Sequence, residues 1–331
     1  MVLRAGSLVF LVAFAGCAPT LDANEDTLTI GAYSVVREAF HDAVLPAFAN
    51  TWKAKTGRTL RFEESYNGSG AQSRAIASGF DADVAVLSLE GDIARLVKAG
   101  LVDKTWNQGP HQGMITRSLV VIGVRPGNPK NIKDWNDLTR SDVSVLYPDP
   151  KTSGGARWNI NAIWGAGLLS GDEGLLRRVQ SRVVNMDSSG RQSMATFERG
   201  TGDAIVIYEN ELLLQRKLTG EDAPFVVPLS TLLIEGPAAV VDTSVNRHNN
   251  RAVAEAFVEF LRGEEAQKIL VDYGFRPLDA TLDHRPLPPK LFNMAQLGGW
   301  SLVNTKLYDP DGVWDALFTD KKPTTTVSRG R

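Results

Sequence analysis

From Thr27 onward the chain alternates short apolar runs with stretches of helical spacing, and this alternation constrains the fold more than any other feature. Residues 28–33, 59–62 and 82–87 read as strands, and residues 38–54, 69–78 and 92–98 as helices. In the first helix Phe40, Val44, Phe48 and Trp52 recur four apart and share one face, while Pro46 within it predicts a kink or break. A βαβαβα order in the first hundred residues predicts an α/β fold, because parallel strands need crossover connections and helices supply them.

A second α/β block follows a long apolar strand at 118–125, closed by Pro126-Gly127-Asn128-Pro129. It contains strands at 143–147 and 204–207, a helix opening at Gly154, and helices at 172–181, 191–199 and 209–218. Another apolar strand at 238–242 precedes an amphipathic helix at 251–262, where Val253, Phe257, Phe260 and Leu261 follow helical spacing. A block inserted within another and joined to it by two apolar strands predicts two lobes on a hinge. One lobe is expected from 27–117 and 238–319 and the other from 118–237, a division that suits a chain of 331 residues. The end, 320–331, lacks periodicity and is expected to be disordered.

The first residues belong to export rather than to the fold. Arg4 precedes an apolar run at 8–14 and then Ala15-Gly16-Cys17, a stretch too short to span a bilayer. Cys17 is the only cysteine, so no internal disulfide is available. A signal peptide ending at Cys17 looks like a bacterial lipobox, with lipid on that thiol as the anchor and 18–26 as a tether. Cleavage after Ala15, leaving a free thiol, is the other reading. Either way the mature protein is expected in the periplasm or at the outer face of the cytoplasmic membrane. A net charge of −2 and a pI near 6.1 argue against a nucleic-acid partner. They leave an anion possible, since oriented backbone dipoles can hold one without net positive charge.

Three segments place small residues where a helix opens: Asn67-Gly68-Ser69-Gly70, Thr152-Ser153-Gly154-Gly155-Ala156, and Asp187-Ser188-Ser189-Gly190-Arg191. The first N–H groups of a helix have no acceptor within it, and the helix dipole adds partial positive charge there. One such turn is more often a cap than a binding site; three together can surround a tetrahedral oxyanion. Signs of catalysis are missing. The four histidines, His41, His111, His248 and His284, show no metal-binding spacing, and neither a nucleophile elbow nor a phosphate-binding loop is present. No metal or cofactor is expected. An ester hydrolase using Ser69 or Ser153 stays as the rival, lacking an evident base.

The run Ser153-Gly154-Gly155-Ala156-Arg157-Trp158-Asn159, preceded by Pro148-Asp149-Pro150-Lys151, resembles the signature of the periplasmic sulfate/thiosulfate-binding proteins of ABC transporters. Asn67-Gly68-Ser69-Gly70, Arg125-Pro126-Gly127-Asn128-Pro129, residues 131–138, Glu209-Asn210-Glu211 and Leu297-Gly298-Gly299-Trp300 are similar to that family too, and the similarity covers nearly the whole mature chain. It implies a type II periplasmic-binding-protein fold, two sheet-and-helix lobes with the ligand in the cleft between them. By resemblance, the N–H of Ser34, the hydroxyl and N–H of Ser69, and Ser153, Gly154, Gly155 and the N–H of Gly190 hold a dehydrated sulfate. Ser34 stands where the family usually has Asp, and Tyr208 where its best-known members have a Trp whose indole N–H binds ligand. Arg157 and Arg191 are expected behind these donors, off the ligand. The implied partners are sulfate, with thiosulfate open, and the membrane permease of an ABC importer, served by a monomer without enzymatic activity. Phosphate, molybdate, or ferric iron through Tyr208 are the alternative ligands.

Overall fold

The computed structural model describes residues 24–310 and 312–318. The expected signal peptide with Cys17, residues 18–23 of the expected tether and the 320–331 tail lie outside the described residues. Strand β1 (Glu25–Tyr33) begins earlier than expected, so Glu25 and Asp26 belong to the sheet and not to a tether. It runs parallel to β2 (Thr59–Asn67) along its whole length and to β3 (Val84–Val86) on its other side. Leu28, Ile30 and Ala32 are fully buried between the sheet and its helices.

The helix expected over 38–54 is not continuous. After a 3-10 turn (Ser34–Val36) and the short helix α1 (Arg37–Ala39), residues Phe40–Val44 form a π-turn, and α2 (Leu45–Thr56) follows with Pro46 near its start. Proline lacks the N–H that a continuous α-helix would require at that point, and the wider turn moves it to a helix beginning, where none is needed. Phe40 and Phe48 still face one core, packing on Phe257 at ring distances of 6.1 and 5.1 Å. Helices α3 (Ser69–Ala77) and α4 (Glu90–Lys98) complete the first crossovers.

Two strands of 11 residues, β4 (Met114–Val124) and β9 (Ser230–Val240), pair antiparallel and connect the halves. Both start well before the predicted 118–125 and 238–242. The polar residues Thr116, Arg117, Glu235 and Gly236 broke the apolar pattern but still pair across the two strands. The strand order β2-β1-β3-β9-β4-β7-β5-β6 runs through both lobes, with β5 (Val145–Leu146), β6 (Val183–Asn185) and β7 (Ala204–Tyr208) in the second. Helices α5 (Gly154–Ser170), α6 (Leu175–Gln180), α7 (Gly190–Glu198) and α8 (Glu209–Thr219) cover that lobe. Strand β8 (Phe225–Val226) pairs with β4. Helix α9 (Asp242–His248) intervenes before the predicted amphipathic helix, which is α10 (Arg251–Phe260), and α11 (Glu264–Asp272) follows.

The C-terminal region departs from the expected division. Strand β10 (Lys290–Phe292) pairs with Ser230–Leu232 of β9, and a Cβ on Gly165 of α5 would meet the rings of Phe292. Further on, α12 (Gly299–Leu307) and α13 (Val313–Ala316) continue along the second lobe: Tyr308 donates to Asn161 at 2.8 Å, and Trp314 stacks near Tyr147. Residues from 290 onward therefore pack on the second lobe rather than the first. The chain crosses between lobes three times, and Glu209 holds the third crossing by buried hydrogen bonds from Arg276 at 2.7 and 2.9 Å.

Candidate functional site

Six chain segments meet at the ends of strands β1, β3 and β7 and at the openings of α3, α5 and α7. They enclose a cavity of about 20 Å³, little more than the roughly 10–15 Å³ that one water needs. Only a small, compact species fits. Of the seven ligand-binding residues expected, Ser34, Ser69, Ser153, Gly155, Gly190 and Tyr208 line this space.

Each arrives by a short strand-to-helix turn. Tyr33 ends β1 in extended conformation and Ser34 begins a helical turn, so its N–H lacks an acceptor within that turn. Gly68, Ser189 and Ser153 are the extended residues before α3, α7 and α5. The hydroxyl of Ser153 accepts the Ala156 N–H at 3.2 Å, which leaves its own proton free to point into the cavity. Its backbone N–H is already given to Asp149 at 2.8 Å, so Ser153 can serve a ligand by its hydroxyl only.

For Ser69 the expectation needs correction. Its hydroxyl donates to Asp92 Oδ2 at 2.6 Å and accepts from the Ser88 N–H at 2.9 Å. A buried carboxylate is the stronger acceptor and takes the proton, so the backbone N–H is the donor left for a ligand. Gly154 also differs, lining the adjoining groove rather than the cavity. A Cβ there would stand 2.9 Å from Ser69 Cβ and 3.3 Å from Asp92 Oδ2, so the two lobes touch at this point.

Tyr208 is buried, with no hydrogen-bond partner for its hydroxyl among the described residues. Burial pushes its phenol well above the usual tyrosine range, so it stays a neutral donor. Neither arginine lines the cavity. Arg157 reaches Asn304 Oδ1 at 3.2 Å and lies over the Tyr308 ring at 4.6 Å. Arg191 spans the cleft to Glu38 at 2.5 Å and approaches Glu211 at 3.4 Å.

Of the lining residues that sequence reasoning did not assign to the site, three carry buried polar atoms without a partner. Ser88 follows β3 without a glycine to mark the turn, and its hydroxyl is buried without a partner. Asn159 donates to the Val206 carbonyl at 2.9 Å, and its Oδ1 has no partner. Glu211 is the one carboxylate on the wall. Both of its oxygens lack hydrogen-bond partners, and burial raises its pKa while Arg191 acts against this. Asp187 is absent from the cavity wall and accepts from Thr196 at 3.0 Å. Histidines are likewise absent from the wall: His41 pairs with Glu64, and His248 lies between Asp81 and Asp83. Among the described residues no three-residue cluster of His, Cys, Asp or Glu forms a metal site, and no helix is long and apolar enough to cross a membrane.

Residues 35–276 match a family described as bacterial extracellular solute-binding protein. The sulfate-binding protein of Synechococcus elongatus is 41% identical over 302 residues, covering 88% of this chain and 86% of its own. A thiosulfate-binding protein of Escherichia coli is 34% identical, covering 86% and 89% respectively. Among solved structures, the sulfate-binding protein SubI from Mycobacterium tuberculosis superposes with a TM-score of 0.78 at 38% identity, over 86% of this chain and 99% of that one.

Proposed function

The chain belongs to the bacterial extracellular solute-binding proteins, and we propose that it captures sulfate, with thiosulfate as a second ligand, and delivers it to an ABC importer. The observation that carries this reading is the convergence of six predicted donor positions, from distant segments, on one cavity sized for a small ion. The donors are the N–H groups of Ser34, Ser69, Gly155 and Gly190 and the hydroxyls of Ser153 and Tyr208. Gly154 forms the seam beside them, and Arg157 and Arg191 act from behind. The protein works as a binding protein and not as an enzyme: its relatives are binding proteins, and the carboxylate beside Ser69, that of Asp92, is already held by Arg95.

Sulfate at neutral pH carries no proton and only accepts hydrogen bonds. Neutral donors satisfy it, whereas a protonated oxyanion would bury an unpartnered donor at a cost of about 1–3 kcal/mol. Hydrogen bonds to a charged group contribute about 1.5–3 kcal/mol each, enough together for a micromolar constant near −8 kcal/mol. One lobe comprises 25–117 and 238 to about 289, the other 118–237 and 290–318, with the ligand between them. Export through the leader, lipid on Cys17 and action as a monomer outside the cytoplasmic membrane complete the reading.

Glu211 favours a second reading. An ionised acceptor on the wall would suit hydrogen phosphate, whereas a protonated Glu211 adds one more donor for sulfate. Titration calorimetry of ligand-free mature protein against sulfate, thiosulfate, phosphate and molybdate at neutral pH decides between them. Micromolar one-to-one sulfate binding with much weaker phosphate is expected; tight phosphate without sulfate overturns the proposal in favour of the Glu211 reading.

A further inference from the structure

The cavity wall carries no cation. Hydroxyls and backbone dipoles act over a few ångströms, so nothing on this wall draws a dianion from bulk solvent, and the chain as a whole is slightly acidic. Beside it lies a groove of about 170 Å³ between the openings of α3, α4 and α5 and the flank of α12. Arg74, Arg95, Lys151 and Arg157 line it, against the single carboxylate of Asp92.

That carboxylate is occupied, taking the Ser69 hydroxyl at 2.6 Å and Arg95 at 2.8 Å. Arg157 has neutral partners, and Arg74 is exposed and pairs with no carboxylate among the described residues. Lys151 meets Asp315 at 3.7 Å with both side chains well exposed, a pairing that water screens. Lys151 and Arg157 flank the opening of α5, where the helix dipole disfavours a cation unless an anion offsets the field, whereas Arg74 and Arg95 lie in the last turns of α3 and α4. Of the four cations only Arg95 is matched by a carboxylate on the groove wall.

Groove and cavity share Ser153, and the seam between them is Gly154 against Ser69 and Asp92. Parting the lobes opens that seam. We infer that the groove is a cationic vestibule, which attracts a small inorganic dianion and passes it through the Gly154–Ser69 seam into the cavity. This inference rests on the proposed anion-binding function and adds the route and the source of its long-range attraction.

The test is stopped-flow fluorescence of sulfate association at ionic strengths from 10 to 300 mM, read through the tryptophans. Trp300 lines the groove, and Trp158 donates to the Ser88 carbonyl on the cavity wall at 2.7 Å. The variant Arg74→Glu/Lys151→Glu alters only exposed groove residues outside the cavity. Wild-type association is expected to slow as salt rises, because the screening length shrinks to about 10 Å at 0.1 M. In the double variant association at low salt should fall roughly tenfold or more, with a flattened salt dependence and dissociation within about twofold of wild type. The neutral variant Arg74→Gln/Lys151→Gln should lie between. Equilibrium binding at 300 mM, where the charges are screened, confirms that each variant is folded. Equal association rates and salt slopes in wild type and folded variants overturn the vestibule alone. Absence of sulfate binding by the wild type overturns the cavity reading, and the vestibule with it.

Discussion

The hydroxyl of Tyr208 lies 3.2 Å from the point where a Cβ on Gly155 would stand. Strand end and helix opening thus confront each other across the cavity, one with a free O–H and the other with free N–H groups. Tyr208→Phe removes the hydroxyl alone. Sulfate affinity should fall roughly ten- to hundredfold, the loss of one hydrogen bond to a charged group. The melting temperature of the ligand-free protein should not fall, since that hydroxyl has no protein partner. Calorimetry and thermal denaturation of the same sample read both quantities, and an unchanged affinity would remove Tyr208 from the site.

Gly154 and Gly190 predict opposite outcomes for one added methyl. At position 154 it would stand 2.9 Å from Ser69 Cβ and 3.2 Å from Ser88 Oγ, wedging the lobes apart. At position 190 nothing of the protein lies within 4 Å. Gly154→Ala should therefore weaken sulfate binding and enlarge the radius of gyration in solution scattering with ligand present. Gly190→Ala should leave the melting temperature of ligand-free protein within a degree or two of wild type. Normal closure by Gly154→Ala would contradict the seam.

The two cavity serines differ in how their protons are used. Because Ser69 gives its proton to Asp92, Ser69→Ala should cost mainly stability, about 1–3 kcal/mol for stranding the buried Ser88 N–H and the carboxylate. Ser153→Ala removes a free hydroxyl proton and should cost affinity, roughly tenfold or more. Denaturant titration and calorimetry on both variants give the comparison, and a larger affinity loss for Ser69→Ala would reverse it.

His248 sets a pH dependence far from the cavity. Burial lowers its pKa, but hydrogen bonds to Asp83 and Asp81 outweigh this and the net shift is upward. Its stabilisation is therefore complete below the ordinary histidine range near 6.5 and is lost as pH rises through the raised folded value. His248→Gln should lower the melting temperature more at pH 6 than at pH 9. Equal losses at the two pH values would mean that packing, not charge, is at stake.

How much of this could be read in advance depended on whether the signal was local. The turns at Ser69, Ser153 and Gly190 were visible because helix openings favour small capping residues at fixed offsets. The strand β7 was visible as an apolar run over 204–207, whereas Tyr208 at its end entered only through the family resemblance. Ser88 was not, and Asn159 and Glu211, though inside family-like segments, gave no sign of facing the cavity, because only the folded chain brings a strand end, a helix interior and the first turn of α8 to one wall. The full lengths of β4 and β9 were hidden because Thr116, Arg117, Glu235 and Gly236 interrupt the apolar runs while still pairing. The occupied proton of Ser69 depended on Asp92, 23 residues away, which no spacing rule connects to it.

The third crossing, from Arg276 to Lys290, also bears on how the cleft moves. A panel hung from one strap can swing and twist, whereas one hung from three straps can only swing. With β4, β9 and this C-terminal length all tied across, the last of them anchored on Glu209 next to Tyr208, the connections leave the two halves fewer ways to move against each other than a single strand would.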